Sequence, residues 1–160
     1  MAVVNLQATE RGTDAVVSHG LAGSVKCKVS TIETGAADSA TSTYDFCDLP
    51  TNARILGSSR AYWDDLSTDT ASGSTLDIGF FDIDGNITDN DDALNDGLDL
   101  TAASTGSILI KDRANYGKRV WELNGEASDP GGAVKLVGTI KDAALTTAGT
   151  ITVEVYYIID

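Results

Sequence analysis

The residues best suited to chemistry in this chain are few, and their spacing works against most uses. The one histidine, His19, directly follows Ser18. A serine and histidine adjacent in sequence do not make a catalytic pair, because the base must be oriented by a carboxylate and must face an oxyanion site across a fold. His19 therefore reads as a surface residue. With a single His and two separated cysteines, Cys27 and Cys47, the three or four nitrogen and sulfur ligands of a zinc site are not available. Oxygen ligands are plentiful by contrast. Asp82, Asp84, Asn86, Thr88, Asp89, Asn90, Asp91 and Asp92 crowd one short segment, as hard cations require. A calcium loop beginning at Asp82 would put Asp84 and Asn86 at its third and fifth positions, but Ile87 falls where the sharp turn needs glycine and Ala93 where the bidentate glutamate belongs. The segment is not an EF-hand. It reads as a solvated loop capping the turn that follows, with an irregular calcium site at Asp82, Asp84, Asn86 and Asp89 as the weaker alternative. No cofactor is expected.

Asp64 and Asp65 are paired carboxylates, yet neighbours on a strand point to opposite faces and cannot flank one sugar as a glycosidase requires. Tyr62, Trp63, Tyr116, Trp121, Tyr156 and Tyr157 could stack on a carbohydrate, although aromatics in strands more often fill a core or an interface. Gly131 and Gly132 after Pro130 make a turn and not a phosphate loop, since no Gly-Lys-Ser follows. No catalytic residue is identified and the chain does not read as an enzyme.

The elements that would hold these residues are short. The 160 residues are one domain's worth, and 42% hydrophobic residues suffice for a single core. Sixteen glycines with only two prolines, set among Ser, Thr, Asp and Asn, supply many tight turns, which points to β structure. A net charge of -13 argues against nucleic acid, because phosphate binding depends on Lys and Arg displacing counterions. The N-terminus shows no basic cluster before an apolar run, and no stretch of about 18 apolar residues occurs anywhere, so synthesis in a cytoplasm and no membrane partner are expected. Two cysteines are too few for a disulfide scaffold, and Cys27 and Cys47 are expected as free thiols.

Residues 1–24 lack a sustained period and read as an N-terminal arm ahead of a domain spanning 25–160. Val25, Cys27, Val29 and Thr31 alternate with Lys26, Lys28 and Ser30, the period of a strand with one wet face. Further strands are expected at Tyr44 to Pro50, Arg54 to Trp63 with a bend at Gly57, Leu76 to Phe80, Ser107 to Lys111, Lys118 to Leu123, Ala133 to Lys141 and Thr150 to Ile158. The acidic run between Thr88 and Thr101 suggests one or two helical turns, capped by Asp89 or Asn90 and stopped at Gly97. Eight short strands without intervening helices of 10 to 15 residues exclude a parallel α/β sheet and leave an antiparallel sandwich or barrel. An all-β antiparallel sandwich, jelly-roll-like, is the expected fold, with an immunoglobulin-like order open.

The order Tyr44-Asp45-Phe46, Leu49-Pro50, Asn52-Ala53-Arg54-Ile55 resembles a passage of tailed-bacteriophage head decoration (cement) proteins. The segments TLDIGFFDIDG, DDALNDGLDL, ANYGKRVWELNG, SDPGG and TITVEVYYI are similar to segments that follow in the same order in such proteins, so the resemblance runs from about Thr43 to Ile159. It implies a β-sandwich on the outside of an icosahedral head, commonly trimeric, that clamps the major capsid protein after expansion, with a virion location after assembly in the host cytoplasm. It carries no catalytic residues to transfer. Another virion sandwich, such as a head-fibre base, neck or tail component, is the runner-up, and a carbohydrate-binding module would need a row of exposed aromatics on one face.

Overall fold

The computed structural model describes residues 3, 5–7, 24–68 and 73–159. Its longest strand follows the simplest pattern in the sequence. From Gly149 to Ile159 apolar Ile151, Val153, Val155 and Tyr157 are buried, while the alternate residues are partly open to solvent, as a pleated strand with one core face demands. In chain order the strands are β1 (Asn5–Gln7), β2 (Lys26–Thr34), β3 (Thr43–Pro50), β4 (Ala53–Ile55), β5 (Arg60–Trp63), β6 (Thr75–Asp82), β7 (Asn90–Asp99), β8 (Ser104–Ile108), β9 (Ala133–Lys141) and β10 (Gly149–Ile159). A 3-10 turn at Arg113–Asn115 and one helical turn, α1 (Val120–Leu123), connect β8 to β9.

Two sheets result, with strand orders β1-β3-β9-β6-β7 and β2-β10-β5-β8, and β4 pairs with the far end of β10. Leaving aside β1 and β4, eight strands remain. Numbered one to eight along the chain, strands one, eight, three and six share one sheet and two, seven, four and five the other, all antiparallel. Among these eight, β6 and β7 are the consecutive strands that pair with each other; the other connections cross between sheets. That is the jelly roll, two Greek keys wound into a sandwich. β1 extends the first sheet as a parallel partner of β3, Asn5 to Gln7 lying against Thr43 to Asp45. Much of the proposed arm, and with it Ser18 and His19, lies outside the described residues.

Phe46, Leu49, Leu76, Ile78 and Phe80 of the first sheet meet Ile55, Ile151, Val153 and Val155 of the second in one continuous core. Each such side chain contributes about 1.5–3 kcal/mol by leaving water. Large polar side chains drawn inside find partners: the Tyr44 hydroxyl donates to Asp38 Oδ2 at 2.7 Å, and burial foremost, with that bond, pushes the phenol well above its ordinary range. Trp63 Nε1 donates to the carbonyls of Asp99 and Ala102, tying β5 to the end of β7.

Four expectations about the elements are corrected. The acidic run is a strand, β7, and not a helix. Its ladder to β6 shifts register twice, so Ala93, Leu94 and Asn95 are buried in succession and the period of two disappears from the sequence. Lys118 to Leu123 is no strand. Val120 and Leu123 are both buried at a spacing of three, which a helical turn allows and a strand does not, and Glu122 Oε2 accepts from the Arg119 N–H at 2.7 Å to close the turn. Arg54 to Trp63 splits into β4 and β5, broken by a turn in which the Ser59 N–H donates to the Leu56 carbonyl, and the two pieces pair with different parts of β10. The strand expected from Ser107 to Lys111 begins earlier and ends at Ile108; Leu109 and Ile110 continue beyond it as buried residues.

Candidate interaction surface

The acidic segment forms the loop between β6 and β7, and its carboxylates are turned onto the backbone. Asp82 Oδ1 accepts from the N–H groups of Asn86 at 2.9 Å and Ile87 at 3.1 Å, Oδ2 accepts from Gly85, and Asp89 Oδ1 accepts from the Asp82 N–H at 2.7 Å. Desolvation pushes the Asp82 carboxyl up, but the donations from Ile87, Gly85, Asn86 and Asp84 together outweigh it and hold the group below its ordinary value. An acid so occupied shapes a turn. Among the described residues no three His, Cys, Asp or Glu side chains stand together in a way that could hold a metal ion.

The other candidates are also drawn into structure. Asp64 Oδ2 accepts from both the N–H and the hydroxyl of Thr150, at 2.7 and 2.8 Å, pinning the start of β10. Trp63 and Tyr157 are buried; Tyr62, Trp121 and Tyr156 are half-buried; Tyr116, 37% exposed, lies beside Gly57. These six do not form a row of exposed rings on one face. Both cysteines are free, Cys27 exposed and Cys47 buried.

What the structure does expose is the outer side of β2. This strand keeps the alternation visible in its sequence but presents it the other way round. Ser30, Ile32 and Thr34 are buried, Lys26 and Lys28 share their side of the strand, and Lys28 Nζ donates to the Asp48 carbonyl at 3.0 Å. Cys27, Val29, Thr31 and Glu33 point outward, with Val29 51% exposed and the preceding Val25 62% exposed. The wet face is the apolar one. Its neighbours on β10, in register, are Tyr156 beside Cys27, Glu154 beside Val29 and Thr152 beside Thr31, and β5 adds Tyr62 and Arg60. The threonine hydroxyls are 2.8 Å apart, and the Tyr62 hydroxyl lies 3.4 Å from Glu154 Oε2. Hydrogen bonding to the Cys27 thiol, with the charges of Cys27 and Glu154, raises the Tyr156 phenol above its ordinary value. The signal for this surface was present in the sequence, but alternation alone does not say which side of a strand meets the core.

The outer side of the first sheet differs: it is ionic and largely closed. Lys141 Nζ lies 2.5 Å from Asp91 and 3.7 Å from Asp77, and Lys135 lies 3.7 Å from Asp45. The hydrogen bond to Asp91 is the main cause of the raised Lys141 value, while burial is the main cause of the raised Asp77 value.

No protein-family model matches the chain, and no curated protein matches it either. Solved structures do. A chain of the capsid of Ralstonia phage GP4 superposes with a TM-score of 0.62 at 23% identity, over 98% of this chain and 99% of that one. A chain of the cyanophage Pam1 capsid asymmetric unit superposes with a TM-score of 0.52 at 20% identity, over 91% of this chain and 92% of that one. At such identities the likeness is one of fold, and it runs nearly the full length of all three chains.

Proposed function

We propose that this chain is a phage virion structural protein that binds the outside of the capsid and stabilises it, in the manner of a decoration or cement protein. The observation that carries the reading is the end-to-end superposition on a chain of the Ralstonia phage GP4 capsid, since a shared core alone would leave insertions or extra domains unmatched. The Pam1 likeness and the sequence resemblance from about Thr43 to Ile159 support it independently of each other. Fold by itself hosts many functions, so the weight rests on these sources agreeing.

The partner in this reading is the major capsid protein, with a second contact among copies of the chain, as a homotrimer. Weak contacts then add on a repetitive lattice, because each further site is engaged at high effective concentration. The role is non-enzymatic and uses no metal, nucleic acid or membrane. The carboxylates that attract notice, Asp64 and Asp82, are engaged by backbone N–H groups, which suits a scaffold and not a reaction centre.

The test is co-sedimentation with expanded shells assembled from the major capsid protein of the same genome. Bound copies should pellet with shells, stay in solution with isolated capsid subunits, and raise the temperature at which shells open. Failure to pellet with expanded shells would refute the decoration role and leave the fibre-base, neck or tail reading.

A further inference from the structure

Between buried Leu109 and Ile110 on one side and buried Val120 on the other, the segment Lys111 to Arg119 loops over the surface, and its Lys111, Arg113, Lys118 and Arg119 are four of the chain's 11 Lys and Arg. Asp112 is the one carboxylate of the segment, and it is engaged by the Ala114 N–H at 2.9 Å. Two of the cations are steadied by neutral acceptors: Lys111 Nζ donates to the Asp96 carbonyl at 2.6 Å and Lys118 Nζ to Asn115 Oδ1 at 2.9 Å. Such bonds hold an ammonium in place without cancelling its charge. On the first sheet the opposite holds, since Lys135 and Lys141 are set against Asp45, Asp77 and Asp91. Arg54 of β4 adds a further cation beside the loop; its guanidinium donates to the Gly117 carbonyl and its backbone bridges to Arg119. Exposed Tyr116 stands among these groups against Gly57, its hydroxyl 3.4 Å from the Ile110 carbonyl. We propose that this basic loop, with Arg54 and Tyr116, is the docking surface of the chain, and that it fits a carboxylate-rich face of the major capsid protein. The inference rests on the decoration reading and goes beyond it by assigning the side of the molecule that meets the shell.

Charge complementarity argues the occupant. The loop is net positive on a chain of net charge -13, so an acidic partner attracts it and repels most of the remaining surface, which sets orientation as well as attraction. Arg and Tyr suit such a contact: a guanidinium meets a carboxylate through two parallel hydrogen bonds, and Tyr is enriched where proteins meet. The loop is also held before any partner arrives, by its 3-10 turn at Arg113–Asn115 and by the Lys111 and Tyr116 bonds, so little ordering is left to oppose binding. A second copy fits less well. Two copies meeting loop to loop would set cation against cation, and the acidic loop a copy could offer has Asp82 and Asp89 already engaged by backbone N–H groups. Duplex DNA fits less well again, because a long polyanion crossing the loop at Lys111 would meet the acidic strand β7, on which Lys111 rests.

Co-sedimentation with expanded shells across a salt series tests the proposal. Wild-type binding should weaken steadily as salt rises, and Arg113→Glu combined with Lys118→Glu should bind about tenfold more weakly at low salt. Both side chains are exposed, so the melting temperature should stay that of the wild type. Lys26→Glu combined with Lys28→Glu makes the same change of charge on β2 and should pellet as the wild type does. A loop variant that pellets as well as the wild type, or no worse than the β2 variant, would overturn the docking surface and leave the decoration role standing. A wild type that pellets with expanded shells at no salt concentration would refute the decoration role and this surface with it. A loop variant whose free particle changes mass in sedimentation velocity would name a second copy as the occupant. A gel shift of duplex DNA by the wild type that the loop variant loses would name nucleic acid, and either result would overturn the assignment to the capsid.

Discussion

Strands β2 and β7 are both long margins of the same sandwich, and they treat their open edges in opposite ways. β7 is bent by two register shifts, carries Asp91, Asp92, Asp96 and Asp99 without a cation, and is partly covered by Lys111, whose N–H donates to the Leu94 carbonyl and whose ammonium donates to the Asp96 carbonyl. Each of these discourages another strand from pairing. β2 has no bulge and turns Val25, Cys27 and Val29 to solvent. The contrast teaches that one fold can finish its margins by different means: among the described residues β7 is blunted by bulges, carboxylates and the covering Lys111, and β2 by Lys26 and Lys28 alone.

The comparison breaks most easily at Gly79. A Cβ there would lie 1.9 Å from the Asn90 carbonyl oxygen, because the looped-out start of β7 crosses directly over β6. Gly79→Val should therefore cost about 3 kcal/mol or more and expose β7 as a conventional, unprotected edge or unfold it. Urea denaturation measures this, and a midpoint equal to that of the wild type would show that the bulge can move aside cheaply.

Gly97 sharpens the comparison by a smaller amount. It sits at φ +77° in the second bulge, opposite Asp77, and its N–H donates to Asp77 Oδ1 at 2.8 Å. Gly97→Ala keeps the hydrogen bond but forces a side chain into the left-handed region, at about 1–2 kcal/mol. A loss well under that in the same denaturation assay would mean the bulge is not held as described.

The smallest effect concerns protons. Burial is the main influence on Asp77 and raises its value in the folded chain, while the Gly97 N–H and Lys141 offset this only in part. The native state then holds that proton more tightly than the unfolded chain, so Asp77 adds stability as pH falls from neutral toward the ordinary carboxylate range. Asp82 and Asp99 act the other way, their lowered values making acid destabilising. Asp77→Asn should stay within about 1 kcal/mol of the wild type at neutral pH and lose ground to it on acidification. Melting curves that run parallel for the two proteins from neutral pH down to the carboxylate range would contradict this.

Legibility followed regularity. The core strands β9 and β10 could be read directly, because an unbroken period of two has a single explanation when residues such as Leu136, Ile140, Ile151 and Val155 recur on it. β7 was hidden because its bulges convert a strand pattern into Leu94 and Leu98 at a spacing of four, which is also the spacing of a helix. α1 was hidden for the converse reason, since a single turn is too short to establish a period. The acidic loop was legible as a loop that caps the turn following it, and the backbone N–H groups donating to Asp82 show how the turn is held.

Composition and local pattern determined by themselves that this chain is all-β and antiparallel, because turn residues, strand length and alternation are set by each residue's own stereochemistry; that the strands form two packed sheets and not a barrel was decided by their pairing. Only the tertiary structure decided which face of each strand meets the core. In β2 the sandwich takes Ser30, Ile32 and Thr34 inward with the lysines on their side, and leaves Val25 and Val29 outside. A one-residue change of register reverses both faces of a strand, and that choice is made by pairing along the whole of β10, from Thr34 against Gly149 to Lys26 against Tyr157.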